Sequence, residues 1–176
     1  MRYISAEEIA ENYRCEFNIP EGAPCIRDMG LLASAAARPA ASFGGEDLYK
    51  TLPEKAGVLL SSLVHNHAFI DGNKRISYMA MRTMLILNGY DIRATEDEKY
   101  SFVLGVAKGK IKDKEVVSWI SDRLVKVKDN FLTNDGYDEL SNEKQCNELK
   151  KFADDLKATY KHDKSKKQSK CIEQEL

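Results

Sequence analysis

Nine consecutive residues hold most of the groups in this chain that could do chemistry. The run from His67 to Arg75, HAFIDGNKR, places an imidazole, a carboxylate, an amide and two cations between two stretches of helical pattern. An imidazole changes its charge near neutral pH, so it can accept a proton from an attacking hydroxyl. His67 is therefore the candidate general base.

The second half of this run has the composition of a phosphate-binding site. A helix predicted to begin near Gly72 leaves free backbone N–H groups in its first turn, and its dipole favours an anion there. Gly72 lets the anion approach the backbone, and Asn73 adds side-chain amide donors. Lys74 supplies a point charge and Arg75 a planar guanidinium that matches phosphate oxygens. These four residues are the predicted phosphate contacts.

Asp71 comes directly before the predicted phosphate contacts. A single carboxylate beside phosphates is the usual protein ligand of Mg²⁺, whose other ligands are water and phosphate oxygens. A simpler interpretation is that Asp71 only caps the following helix, and the two roles are compatible. Phe69 is predicted to pack into the core and fix the loop, whereas His65 is expected to be structural.

Helices are predicted on both sides of this run, and they must position it. Capping boxes begin two of them, at Ser5 with Glu8 and at Thr51 with Glu54, and Asp28 caps another that Pro39 stops. The predicted helices cover about residues 5–13, 28–37, 51–65, 72–88, 95–108 and 113–127. The fifth of these is opened at Thr95 and the sixth at Asp113, and the fourth, apolar on two sides, should be central. A short β-hairpin is expected around residues 42–49, and no other strand. The predicted fold class is all-α.

Composition sets limits on the class of protein. Twenty-seven Lys and Arg balance 28 Asp and Glu, which argues against a nucleic-acid binder with a basic stripe. No apolar run approaches the roughly 18–20 residues of a membrane span, and the N-terminal stretch does not read as a secretory signal. Four widely spaced cysteines favour reduced thiols over a zinc or disulfide framework. We expect a cytoplasmic protein without a membrane segment.

The run HAFIDGNKR resembles the signature of the Fic/Doc family, His-x-Phe-x-Asp/Glu-Gly/Ala-Asn-Gly/Lys-Arg. The segments IRDMGLLASAAARP, FGGEDLY and AMRTMLILNGY also resemble the Doc-like, or death-on-curing, branch of that family. The resemblance covers roughly residues 3–125. It implies a Fic/Doc-type helical bundle that uses ATP and Mg²⁺ to modify a Ser, Thr or Tyr hydroxyl on a target protein.

The resemblance also implies a role for each matched position. His67 would be the general base, Asp71 the Mg²⁺ ligand, and Gly72 part of the nest around the phosphates that Asn73, Lys74 and Arg75 contact. A flap would dock an extended segment of the target protein by strand addition. Its residues would be Phe43, Gly44, Gly45, Glu46, Asp47, Leu48 and Tyr49.

Three positions bear on which group is transferred. Members of the family that transfer AMP commonly have glycine at the position of Lys74 and a second arginine at that of Tyr78. Both differences match the Doc-like branch, for which the resemblance implies a reversed nucleotide and transfer of the γ-phosphate. Gly72, in contrast, is typical of AMP transferases, whereas Doc has alanine there. The sequence favours phosphotransfer and leaves AMP transfer open.

The resemblance further implies a toxin of a toxin–antitoxin pair, with elongation factor Tu as a candidate target and an antitoxin as a candidate partner. A catalytically inert protein-binding module is the alternative from another class. We divide the chain into a catalytic domain, residues 1–127, and a C-terminal extension, residues 128–176, with an amphipathic helix at about 140–161 and a polar tail. That helix either extends the core or lies across the nucleotide cleft as a built-in regulator.

Overall fold

The computed structural model describes residues 1–20 and 25–127. In this part of the chain six α-helices and one 3₁₀ turn are present. They are α1 (Ala6–Phe17), α2 (Met29–Ala37), the 3₁₀ turn (Arg38–Ala40), α3 (Leu52–Asn66), α4 (Asn73–Leu87), α5 (Glu96–Ala107) and α6 (Asp113–Arg123). The prediction of an all-α fold is confirmed.

Side-chain caps fix where most of these helices begin. Ser5 accepts from the backbone N–H of Glu8 while the Glu8 carboxylate accepts from the N–H of Ser5, and this capping box recurs at Thr51 and at Thr95. Asp28 caps α2 by accepting from the N–H of Leu31 at 3.0 Å. Each of these caps satisfies N–H groups that the first turn would otherwise leave without partners. The predicted starts of these helices are therefore confirmed.

Helices α3 and α4 form the centre of the core. The predicted stripe of α4 is buried at Ile76, Ala80 and Met84, and its second apolar face is buried at Met81 and Leu85. Helix α4 packs against α1, α3 and α5, which explains why both faces are apolar. The start of α4 therefore belongs to a helix that is packed into the core.

The predicted hairpin is present between α2 and α3. Strand β1 (Ser42–Phe43) pairs antiparallel with β2 (Glu46–Asp47), and Gly44 and Gly45 form the two-residue turn between them. Both glycines have positive φ, 60° and 85°, as the tight turns that suit right-handed strand twist require. The turn explains why two glycines stand side by side here.

A second strand pair was not predicted. Strand β3 (Tyr90–Ile92) pairs antiparallel with β4 (Leu124–Lys126), so the expectation of no further strand was wrong. The N-cap of helix α6 is Lys112 and not Asp113, which is the first helical residue, and the helix ends at Arg123 instead of extending to Val127. The pairing with β3 offers the backbone of 124–126 strand hydrogen bonds in place of another helical turn. Asp91 lies in β3 opposite Val125, and its carboxylate accepts two hydrogen bonds from Arg82, at 2.7 and 2.9 Å.

Within residues 1–20 and 25–127, no helix has the length and apolar character needed to cross a membrane. The amphipathic helix expected at about 140–161 lies outside the described residues, and so does the polar tail. The division of the chain at residue 127 stays a prediction.

Candidate active site

His67 ends α3 in a left-handed turn. Its backbone has φ 48° and ψ 45°, a region that costs a residue with a side chain about 1–2 kcal/mol, and the residue is exposed. Within the described part of the chain the imidazole makes no hydrogen bond or ion pair. A strained backbone beneath a free imidazole is typical of functional sites, where the surrounding structure holds the strain in place.

The backbone after His67 is held on one side by the segment that precedes α2. The carbonyl of Ala68 accepts from the N–H groups of Arg27 and Asp28, at 2.8 and 3.2 Å. The N–H of Ile70 donates to the carbonyl of Cys25 at 3.2 Å. These bonds form a short antiparallel bridge, which fixes the loop of residues 68–72, called the signature loop below.

Asn73 holds the signature loop from the other side. Its Oδ1 accepts from the N–H of Phe69 at 3.0 Å, and its Nδ2 donates to the carbonyl of the same residue at 2.9 Å. One side chain thus satisfies both backbone polar groups of a residue whose ring is buried. The sequence predicts Asn73 as a phosphate contact but does not indicate that its side chain holds the loop.

Three aromatic rings form a stack between α1 and the signature loop. Tyr13 lies between Phe69 and Phe17, with ring centroids 4.4 and 4.6 Å away. Its hydroxyl donates to the carbonyl of Asp71 at 3.1 Å. Burial, followed by the nearby charge of Asp71, raises the pKa of Tyr13, so the hydroxyl remains a donor at neutral pH. The prediction that Phe69 packs into the core is confirmed.

Sequence reasoning missed the contribution of α1 to this site. The sequence predicts that the first helix ends near Tyr13, whereas α1 continues to Phe17. The four-residue spacing of the two rings puts them on one helix face, and this spacing was the available signal.

Gly72 is the N-cap of α4 and contacts the last ring of the stack. Its φ of 69° is left-handed, and a Cβ added there would lie 2.4 Å from Cζ of Phe17. Both the backbone conformation and the ring therefore require glycine. The fold alone therefore requires glycine at position 72, whether or not a nucleotide binds there.

The start of α4 differs from that of the helices capped by Ser5, Asp28, Thr51 and Thr95. No side chain caps it, since Gly72 is the N-cap residue. The interpretation that Asp71 only caps the helix is therefore wrong. Asp71 is exposed, and its carboxylate has no hydrogen bond or ion pair within the described part of the chain. The first-turn N–H groups and this carboxylate are both available to a ligand.

Lys74 and Arg75 extend the exposed surface of this helix start. Arg75 lies with its guanidinium 5.0 Å from the ring centroid of Phe17, and its Nη1 is 3.7 Å from Oε1 of Glu16. The side chain is still 62% exposed, so a ligand can reach it. Lys74 is exposed and makes no hydrogen bond or ion pair to another described residue.

Comparison with known proteins agrees with this arrangement. Residues 3–85 match the model of the Fic/DOC family. These residues belong to the Fic/DOC family. Over 72 residues the chain is 49% identical to Toxin Doc of Mycolicibacterium smegmatis (strain ATCC 700084 / mc(2)155), covering 41% of this chain and 55% of that protein. The chain thus spans little more than half the length of this curated relative.

The Fic/DOC segment contains every candidate site residue, but its contacts divide them into two groups. His67, Asp71, Gly72, Asn73, Lys74 and Arg75 lie in or beside the signature loop. The predicted flap makes its contacts elsewhere: Asp47 accepts from Nζ of Lys55 in α3, and the N–H of Leu48 donates to the carbonyl of Ala41. Its Phe43 and Leu48 are exposed, by 82% and 56%, while Tyr49 is half-buried.

The residues of the Fic/DOC segment fit a Mg²⁺ ion that has few protein ligands. No cluster of three or more His, Cys, Asp or Glu that could enclose a metal is present in residues 1–20 and 25–127. Asp71 offers one exposed carboxylate beside an uncapped helix start. This is the donor set of a Mg²⁺ ion that a nucleotide's phosphates and water hold, not of a metal enclosed by protein ligands.

Proposed function

We propose that this Fic/DOC-family chain is a protein-modifying enzyme that transfers the γ-phosphate of ATP, with Mg²⁺, to a Ser, Thr or Tyr hydroxyl of a target protein. One observation carries the proposal. The uncapped start of α4 and the free imidazole of His67 lie at the two ends of one firmly held loop. An anion site and a proton acceptor at fixed separation are the two parts that such a transfer needs.

Each side chain has a separate task in this proposal. His67 accepts the proton of the target hydroxyl, whose oxygen bonds to the γ-phosphorus while the bond from that phosphorus to ADP breaks. Asp71 holds Mg²⁺, and the N–H groups of α4 hold phosphate oxygens together with Lys74 and Arg75. Bound Mg²⁺ neutralises phosphate charge. Asn73 keeps the loop in place and retains one further N–H for a phosphate.

Phosphotransfer is favoured over AMP transfer because Gly72 has a structural explanation. It was the residue that favoured AMP transfer, and Phe17 together with a positive φ accounts for it. Lys74 and Tyr78 then remain, and both favour phosphotransfer. The Tyr78 hydroxyl is buried near Arg82 and Asp91, and a phenol carries no positive charge, so this position supplies no cation to the start of α4.

The proposal includes a biological role. The curated relative is named a toxin. We extend that role to this chain and propose a cytoplasmic toxin with elongation factor Tu as the candidate target and an antitoxin as the candidate partner. The inert binding module is the competing proposal, and it leaves the free imidazole of His67 and the free carboxylate of Asp71 without a purpose.

A labelling assay tests the proposal. The purified chain is mixed with Mg²⁺, a bacterial lysate and ATP labelled on either the α- or the γ-phosphate. We expect label from the γ-position alone, and a loss of about 100-fold or more in His67→Ala with ATP affinity kept, because removal of a general base typically costs this much. His65→Ala is the matched control, since that imidazole is bonded to the carbonyl of Ser61 in its own helix.

Each other result would select a different function. Label from the α-position would establish AMP transfer. ATP binding without label from either position would favour the inert module. A His67→Ala variant that loses ATP affinity as strongly as label would contradict the role of His67 as a proton acceptor.

A further inference from the structure

A buried lysine joins the hairpin to the core. Lys55, in the first turns of α3, has a side chain that is only 2% exposed. Its Nζ donates to Oδ2 of Asp47, at the end of the hairpin, at 2.9 Å. It also donates to the carbonyl of Pro39, in the 3₁₀ turn before the hairpin, at 3.0 Å. One ammonium group thus holds both ends of the segment that carries the hairpin.

The burial makes this contact different from an ordinary surface ion pair. A buried ammonium is costly unless it is paired and hydrogen-bonded, so opening of the hairpin would leave Lys55 without its charged partner. Burial alone would lower the pKa of Lys55, but the hydrogen bond to Asp47 and the neighbouring Tyr3 raise it above its ordinary value. The lysine therefore stays charged and holds Asp47.

The hairpin offers a direct comparison within the same segment. Lys50 pairs with Glu46 at 3.4 Å, but both side chains are exposed, by 74% and 79%. An exposed pair of this kind contributes little, because water screens it and both side chains lose freedom. Two lysines thus contact adjacent hairpin residues, and only one of them is buried.

We propose that Lys55 is a positioning residue for target docking, which holds the hairpin in the conformation that receives the target protein. The inference rests on the proposed function, in which the hairpin is the docking flap. The hairpin that presents the exposed side chains of Phe43 and Leu48 is then held in one position, because its base is fixed through Asp47. Lys55 itself touches neither nucleotide nor target.

Two variants and one control test this role. Lys55→Met keeps most of the length of the side chain and removes the charge, and the Asp47 side chain, which is 55% exposed, is left in contact with water. Asp47→Ala removes the partner at a half-exposed position and serves as the second variant should Lys55→Met fold poorly. Lys50→Met is the control. For each protein, amide exchange of Leu48, whose N–H donates to the carbonyl of Ala41, reports hairpin opening.

We expect exchange at Leu48 to rise about tenfold or more in Lys55→Met and Asp47→Ala, and to stay unchanged in Lys50→Met. The lysate concentration for half-maximal labelling should rise several-fold in the first two variants, with maximal rate and ATP affinity kept within about twofold. That separation distinguishes positioning of the target from a general structural role.

Three results would overturn the inference. Unchanged exchange and unchanged half-maximal concentration in both variants would show that the lysine does not hold the hairpin for docking. A parallel loss of ATP affinity would assign Lys55 a purely structural role. Absence of label with the wild-type chain would instead remove the proposed function itself, and the inference would fall with it.

Discussion

The signature loop and the hairpin are both short non-helical segments next to α3, yet they are held in opposite ways. Neutral groups hold the loop on three sides: backbone bonds from residues 25–28, the amide of Asn73 and the stacked ring and hydroxyl of Tyr13. Charged groups hold the hairpin at its base, through Lys55, and its turn is exposed. The segment proposed to do chemistry is fixed at several points, whereas the one proposed to meet a partner is fixed at one end.

Removal of the Asn73 side chain should have the largest effect on stability, because it releases the signature loop. Asn73→Ala leaves the N–H and carbonyl of Phe69 without partners, so we expect a loss of about 2–5 kcal/mol in the free energy of unfolding. Asn66→Ala, which removes one hydrogen bond to Leu31, is the control and should cost about 1 kcal/mol. Chemical denaturation measures both. Unchanged stability with weakened ATP binding would make Asn73 a phosphate contact only.

The next largest effect is expected from glycine-to-alanine substitutions, which should destabilise the loop more than the hairpin. In the loop, Gly72→Ala combines a positive φ with a Cβ 2.4 Å from Cζ of Phe17, and we expect a cost of about 2–4 kcal/mol. In the hairpin, Gly44→Ala has a positive φ of 60° but nothing within 4 Å of the added Cβ, so about 1–2 kcal/mol is expected. Thermal unfolding of Gly72→Ala, with and without Phe17→Ala, tests whether contact with the ring is part of the cost.

With Phe17→Ala already present, the further cost of Gly72→Ala should fall toward that of Gly44→Ala, because only the backbone strain remains. Strict additivity of the two substitutions would show that the ring yields without cost. In that case glycine is required at position 72 by its φ alone.

Acid should produce the smallest effect, and on the hairpin side. The Glu54 carboxylate accepts from the N–H groups of Lys50 and Thr51 just after the hairpin, and the bond to Thr51 followed by that to Lys50 lowers its pKa. A lowered pKa means that this stabilisation is present above the ordinary value of 4.5 and is lost as pH falls through the folded-state pKa. The amides of Lys50 and Thr51 should lose protection several-fold between about pH 5 and pH 3.

The signature loop supplies the internal reference for this measurement. The amides of Phe69 and Ile70 donate to neutral acceptors and should keep their protection factors over the same range. Glu54→Gln should flatten the response at the hairpin. Equal loss of protection in both segments would indicate general acid unfolding and would contradict the division into neutral and charged supports.

Local sequence signals predicted the elements that depend on neighbours in the chain. The capping boxes at Ser5, Thr51 and Thr95 and the paired glycines of the hairpin act within four residues, so the sequence displays them directly. The strand of residues 124–126 was missed because its partner lies more than 30 residues earlier, at Tyr90–Ile92. A pairing that is decided by tertiary contact leaves no local pattern.

The same reasoning explains what was predicted of the site. The types and order of residues from His67 to Arg75 indicated an anion site and a base, because those functions depend on side-chain chemistry. The support by Tyr13 and Phe17, and the use of Asn73 as a clamp, depend on which residues face one another in three dimensions. Spacing alone could have paired the two rings, but it could not have placed Phe69 against them.

The ring stack has a consequence for how the chain acquires its site during synthesis. Tyr13 bonds to a residue 58 positions later, so α1 is made long before the segment that it must support. A contact of this sequence separation forms only after the intervening chain has been closed into place, which makes it slow relative to the helices themselves. A growing chain of which only α1 has been synthesised therefore cannot yet support the signature loop. The support that Tyr13 gives to the signature loop thus forms only after that loop has emerged and folded back onto α1.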